Sequence, residues 1–253
     1  MTRPSKDMAP RSIASSPRAL TLALAVLACA GTAVCGPAAG SRAGGPPAGA
    51  TAPAVGGGSA VADAARSTIR VVVLGDSLTA GLGLAPDEAF PSVLQARLRA
   101  NGRPADVINA GVSGDTSAGG LRRLEWSLDG DVRVLVVALG GNDGLRGLPP
   151  AELKKNLGAI IGQAQARRVT VILAGMEAPP NLGRTYTVEF RQVYPDLASA
   201  YKVALLPFLL DGVAGIGSLN QNDGVHPNVA GARKVADNLW PYVEAAVRKA
   251  QAS

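Results

Sequence analysis

The chain has 253 residues, 47% hydrophobic, 17% charged and 4% aromatic, with a formal net charge of +6. That charge divides evenly: residues 1–65 hold five basic and two acidic side chains, and residues 66–253 hold twenty and seventeen. The larger part is close to balanced and shows no basic run interleaved with aromatics, which argues against a nucleic-acid partner.

Residues 1–18 carry Arg3, Lys6, Arg11 and Arg18, and an apolar run from Ala19 to Ala28 follows. A basic segment ahead of a short apolar stretch is the pattern of a secretory signal. The stretch is too short to span a bilayer as an anchor. Residues 1–35 are therefore read as a signal for export, to the periplasm or the exterior. Residues 36–62 are nearly all Gly, Ala, Pro, Ser, Val and Thr. Such a segment cannot bury enough apolar surface to offset its ordering entropy, so 36–66 reads as a flexible tether. Both cysteines, Cys29 and Cys35, precede it. The remainder thus holds neither a disulfide nor a thiolate site. Val26-Leu27-Ala28-Cys29 is similar to a bacterial lipobox, although Leu27 is larger than the residue usual at its place. Lipid on Cys29 would attach the protein to a membrane, and the tether would lift it off the surface. An ordinary cleaved signal with an incidental cysteine fits the same pattern. Residues 67–253, about 185 residues, suit one domain with one core.

From Arg70 the chain alternates. Val71 to Leu74 is a short β-branched run ended by Gly75, a buried strand. Glu88 to Asn101 has helical spacing through Phe90, Val93, Leu94 and Leu98, and Asn101-Gly102 ends it. Asp106 to Asn109 is a second strand, Ser117 to Leu128 a helix, and Val132 to Leu139 a third strand. Pro149-Pro150 opens a helix reaching about Arg167. Val169 to Ala174 is a fourth strand, Thr187 to Tyr201 a helix, Val203 to Leu206 a fifth strand, and Asn228 to Gln251 the last helix. Strand and helix alternating with apolar strands implies a five-stranded parallel sheet covered on both faces. Right-handed crossovers make this a flavodoxin-like three-layer α/β/α sandwich.

Polar, Gly-rich segments follow the strands: Gly75-Asp76-Ser77-Leu78, Gly111 to Asp115, Gly140-Gly141-Asn142-Asp143, and Asp223-Gly224-Val225-His226-Pro227. In a parallel sheet these all emerge at the carboxyl edge, where open α/β folds place their sites. Ser77 stands at a strand-to-helix turn; a serine there can be a nucleophile, but it can equally be a helix cap. His226 is the only histidine. It lies three residues after Asp223, a spacing that lets the carboxylate accept from one ring nitrogen and leaves the other free to take a proton from Ser77. Negative charge developing on a carbonyl oxygen needs donors. The Ser77 and Gly114 amides and the Asn142 side chain are the candidates, since glycine allows close approach and the amide cannot ionise. Asp76, Asp115 and Asp143 read as partners of loop backbone. A non-catalytic binding module, cradling a phosphate at a helix start, would explain Gly75 and Ser77 but gives the Asp223–His226 pair no role.

At these residues the chain resembles the SGNH (GDSL) hydrolase family, in its periplasmic thioesterase and arylesterase branch. The matching segments are Val73-Leu-Gly-Asp-Ser-Leu-Thr-Ala-Gly81, Asn109-Ala-Gly-Val-Ser-Gly-Asp-Thr-Ser117, Ala138-Leu-Gly-Gly-Asn-Asp-Gly-Leu-Arg-Gly147 and Asp223-Gly-Val-His-Pro-Asn228. The resemblance implies a serine esterase or thioesterase, with Ser77, Asp223 and His226 as triad and Ser77, Gly114 and Asn142 as oxyanion hole. It implies chemistry without a metal or cofactor, on aryl esters, acyl-CoA or lysophospholipids. It also implies a mobile loop after Asn142, in which Leu145 and Leu148 cover an acyl chain. The segment from Met176 to Tyr186, with Pro179-Pro180-Asn181, would shape the acyl pocket, Pro180 being its expected substrate contact. A monomer acting on a small-molecule or lipid ester is expected.

Overall fold

The computed structural model describes residues 68–252. The expected export signal, the tether and Cys29 lie outside them.

Runs of β-branched and leucine residues form the two central strands. Strand β1 (Ile69–Gly75) and strand β3 (Val132–Ala138) pair in parallel, and Val71, Val73, Leu74 and Val134 to Val137 are buried in them. Strand β2 (Ala105–Gly111) pairs with β1 on the outer side, while β4 (Thr170–Ala174) and β5 (Ala204–Leu206) extend the sheet beyond β3. The order is β2-β1-β3-β4-β5, with every pairing parallel. The strand order reverses between β1 and β3, so a crevice opens beyond their carboxyl ends.

The helices are α1 (Ser77–Ala80), α2 (Phe90–Ala100), α3 (Ser117–Arg122), α4 (Leu124–Ser127), α5 (Gly141–Leu145), α6 (Pro150–Ala166), α7 (Arg184–Tyr201) and α8 (Val229–Gln251). Right-handed crossovers place α2 on one face and α3, α6 and α7 on the other. Accordingly α2 packs against α8 and β2, while α6 packs against α3 and α7. Helix α8 starts on Asn228, whose Oδ1 accepts from the Ala230 and Gly231 amides. It buries Val235, Leu239, Val243 and Val247 at helical spacing. Burying such a stripe is the main stabilising contribution of an amphipathic helix, at roughly 1.5–3 kcal/mol per large side chain.

Two elements depart from the sequence reading. The expected helix over 117–128 is two short helices that break at Arg123 (φ −103°, ψ 7°). Strand β2 is only partly covered: Ile108 is 42% exposed, because β2 is an edge of the sheet.

Candidate active site

The nucleophile turn is shaped by what its glycines omit. A Cβ at Gly75 would lie 1.9 Å from Thr79 Oγ1 and 2.9 Å from the Ala138 carbonyl. Only glycine lets β1 bend here straight into α1. The Asp76 side chain caps α1, its Oδ1 accepting from the Leu78 amide at 3.0 Å. Ser77 is the first residue of α1, and its amide belongs to the turn that has no intrahelical partners.

The second loop leaves β2 and is held to β1 by the Val112 amide, which donates to the Gly75 carbonyl at 3.0 Å. Within it Gly114 has φ +82°, a left-handed conformation that L side chains rarely adopt. Its carbonyl accepts from Arg146 Nη2 at 2.8 Å. The third loop opens α5 and carries Asn142, whose Nδ2 donates to Asp76 Oδ2 at 3.3 Å. The fourth is a closed loop. Asn220 and Pro227 form an antiparallel bridge, and the Gln221 amide donates to the His226 carbonyl at 2.7 Å. Gln221 Nε2 also donates to the Leu82 carbonyl at 2.6 Å, which ties this loop to the segment after α1.

These loops bring Ser77, His226 and Asp223 into line. His226 Nε2 lies 2.9 Å from Ser77 Oγ, and His226 Nδ1 lies 2.7 Å from Asp223 Oδ2. With the ring proton on Nδ1, the imidazole donates to Asp223 and accepts from the Ser77 hydroxyl. Asp223 Oδ1 takes the Val225 and His226 amides at 2.9 and 3.0 Å. Those amides, the His226 one foremost, pull the Asp223 carboxyl down to about 2, with the imidazole bond adding to them. It is therefore ionised from mildly acidic pH upwards. Asp76 behaves in the opposite way. Burial pushes it up to about 6, although the bonds from Leu78 and Asn142 work against the shift.

A cleft of about 340 Å³ opens over this line. Ser77, Gly114, Asn142 and His226 all border it, with Leu78, Leu82, Leu145, Met176, Pro179, Leu210 and Val225 as its apolar wall. Of the five residues expected to carry catalysis and the oxyanion hole, four thus border one cavity, and Asp223 stands behind His226, on its Nδ1 side. Of the three expected substrate contacts, Leu145 borders the cleft, but Leu148 and Pro180 do not. Leu148 is half-buried, and its backbone is tied down away from the cleft: its amide donates to the Asp143 carbonyl and its own carbonyl accepts from Tyr186 Oη at 2.7 Å. Pro180 opens a short 3₁₀ turn and is exposed, and its neighbour Pro179 borders the cleft instead. Met176, which opens the segment expected to shape the pocket, borders the cleft, whereas Leu82 and Leu210 were absent from the sequence reading. Each follows a strand or the first helix, and that position was the available signal.

The other loop carboxylates bond to more than backbone. Asp143, 1% exposed, accepts from the Ser117 amide at 2.8 Å and from Ser117 Oγ at 2.5 Å. Asp115 pairs with Arg123. Among the described residues no group of three His, Cys, Asp or Glu side chains could hold a metal ion.

A serine, a histidine and an aspartate aligned at the carboxyl edge of a doubly wound parallel sheet define a serine-type ester hydrolase. Residues 73–234 match the GDSL-like Lipase/Acylhydrolase family, and the chain belongs to it. It is 45% identical over 175 residues to Esterase TesA of Pseudomonas aeruginosa, covering 69% of this chain and 87% of that protein. It is 38% identical over 168 residues to Thioesterase 1/protease 1/lysophospholipase L1 of Escherichia coli, covering 66% and 79%. Among solved structures, the crystal structure of TesA matches with a TM-score of 0.68 at 42% identity, over 70% of this chain and 99% of that one. AlinE4, an SGNH-hydrolase family esterase, matches with a TM-score of 0.60 at 44% identity, over 71% and 96%.

Proposed function

We propose that the protein hydrolyses carboxylic esters and thioesters through an acyl-serine intermediate formed on Ser77. The reading is carried by one observation, the unbroken hydrogen-bonded line from Ser77 Oγ through His226 to Asp223. Ser77 Oγ attacks the carbonyl carbon while His226 Nε2 takes its proton. Collapse of the tetrahedral adduct expels the alcohol or thiol, which leaves with that proton. Water then attacks the acyl-serine with His226 as base again, and the acid departs. Asp223 keeps the ring in the useful tautomer and offsets the charge that forms on it. The Ser77 and Gly114 amides and the Asn142 amide group receive the oxyanion.

The cleft supports an acyl substrate, since its wall is mostly aliphatic; of its two bordering carboxylates, Asp76 is buried and Glu177 is engaged with Arg191 at 2.9 Å. Aryl esters, acyl-CoA and lysophospholipids are the substrate classes we assign, in keeping with relatives named arylesterase and thioesterase/lysophospholipase. All of the proposed machinery comes from one chain, which suits a monomer. Export is part of the same proposal and rests on the basic and apolar pattern of residues 1–28. The intact mass of the secreted protein reads whether Cys29 carries lipid. Among the described residues no helix is long and apolar enough to cross a membrane.

The test is covalent labelling with a fluorophosphonate, followed by turnover of p-nitrophenyl esters from short to long chains. Wild type should label once and Ser77→Ala not at all. Folded wild-type protein that neither labels nor turns over any ester of the series would overturn the proposal in favour of a binding module.

A further inference from the structure

Arg123 sits where α3 gives way to α4, and its guanidinium turns back onto the carboxyl edge of the sheet. Nε donates to Asp115 Oδ2 at 2.6 Å, Nη1 to the Ala110 carbonyl at 2.7 Å and Nη2 to the Gly75 carbonyl at 2.7 Å. The three acceptors belong to separate pieces of the site. Gly75 precedes Ser77 by two residues, Ala110 lies at the end of β2, and Asp115 directly follows Gly114. Both side chains of the pair are largely withdrawn from water, at 17% and 18% exposure. The surrounding chain is built to admit them. A Cβ on Gly119 would lie 2.3 Å from Asp115 Oδ1, so α3 accepts this carboxylate only because that position has no side chain. The break between α3 and α4 falls on Arg123 itself.

We infer that Arg123, braced by Asp115, is a positioning residue that fixes the spacing between the Ser77 and Gly114 amides so that both meet one oxyanion. It acts through the backbone and touches neither substrate nor reacting atoms. The inference rests on the roles proposed above for Ser77 and Gly114. A planar guanidinium presents rigid, divergent donors, so it can hold three acceptors in fixed relation, whereas an ammonium is a point charge on a flexible stem. Oxyanion donors are effective only when aimed at the place where charge develops. Misplacing them therefore weakens the transition state and leaves ground-state binding nearly untouched.

The experiment uses the full chain with Arg123→Met, Arg123→Lys and Asp115→Asn. For each, kcat and KM are measured on p-nitrophenyl butyrate. Alongside them are measured the inhibition constant of a four-carbon trifluoromethyl ketone, circular dichroism and the thermal midpoint. The ketone adds Ser77 Oγ to its carbonyl carbon and places an oxyanion where the amides converge. In Arg123→Met, kcat should fall about 10- to 100-fold, with KM within about twofold of wild type. Ketone affinity should weaken by the same factor as kcat. Arg123→Lys should recover part of the loss, and Asp115→Asn should lose less, since it leaves the guanidinium on the two strand carbonyls. A folded Arg123→Met with wild-type kcat and ketone affinity would overturn the inference, as would a loss confined to KM. If Arg123→Met does not fold, Asp115→Asn decides by the same comparison. An inert wild type sinks the proposed function itself, whereas an active wild type with an equally active Arg123→Met sinks only this inference.

Discussion

Asn142 Nδ2 donates to Asp76 Oδ2 across 3.3 Å, so the side chain proposed to meet the substrate oxygen is held by the residue just before the proposed nucleophile. Asp76 is 2% exposed, and burial is the main reason its carboxyl rises to about 6. The same carboxyl should release its proton near 3.8 once the chain unfolds.

That difference gives a stability signature. Below pH 4 both states hold the proton, and the Asp76 contribution is fully present. As pH rises towards 6 the unfolded chain ionises first, and the contribution is lost. A shift of this size corresponds to about 3 kcal/mol. Urea unfolding between pH 4 and 7 should show wild type losing stability relative to Asp76→Asn by roughly that amount. Parallel curves for the two proteins would refute the assignment.

The loop dyad should show unequal dependence on its two members. Asp223 is 47% exposed in its side chain, so water can partly replace it, while nothing can replace the base. His226→Ala should lower kcat by about 10⁴- to 10⁶-fold, and Asp223→Asn by about 10²- to 10⁴-fold. Activity should fall on acidification as the imidazole takes a proton, and steady-state kinetics from pH 4 to 9 would record it. A rate unchanged down to pH 4 would exclude a histidine base.

Asp143 is expected to be structural. It is buried and accepts from Ser117 twice, and Asn156 Nδ2 donates to Ser117 Oγ at 3.0 Å, which links α3, α5 and α6. Asp143→Ala strands buried donors and should cost about 2–4 kcal/mol. Ser117→Ala should cost about 1–2 kcal/mol, and the double variant less than the sum. Chemical denaturation of the four proteins measures the coupling, and strict additivity would dissolve the proposed network.

Gly111 is expected to be intolerant of any side chain. A Cβ there would lie 2.2 Å from the Ala80 amide nitrogen and 2.7 Å from Ala80 Cα, both backbone atoms that cannot swing aside. Gly111→Ala should cost at least about 1–3 kcal/mol and push α1, with Ser77, off the strand end. Gly102→Ala is the control. It has φ +65° and open space around it, so it should cost about 1–2 kcal/mol through its backbone alone and keep full labelling by fluorophosphonate.

Strand-by-strand, the sequence was legible where chemistry is local. Apolar β-branched runs marked β1 and β3, and segments that follow strands had to share an edge, so five candidate residues could be placed together without coordinates. What escaped depends on distant partners. Arg123 read as one more helical residue, because nothing local says that its guanidinium reaches Gly75, 48 positions earlier. Helices α1 and α5, of four and five residues, are too short to display a period. Leu148 read as a pocket leucine, but its carbonyl is held by Tyr186, 38 residues on, and it does not border the cleft.

Because the Asn220–Pro227 bridge closes the loop that bears both Asp223 and His226, base and orienting carboxylate travel as one clip, on a different element from the short helix that bears the serine. Mild denaturation, or a strained variant of the sheet edge, should first draw that clip away whole. Reactivity at Ser77 would then vanish while the imidazole still shows the signature of its carboxylate neighbour. Inactivation would precede any disassembly of the pair.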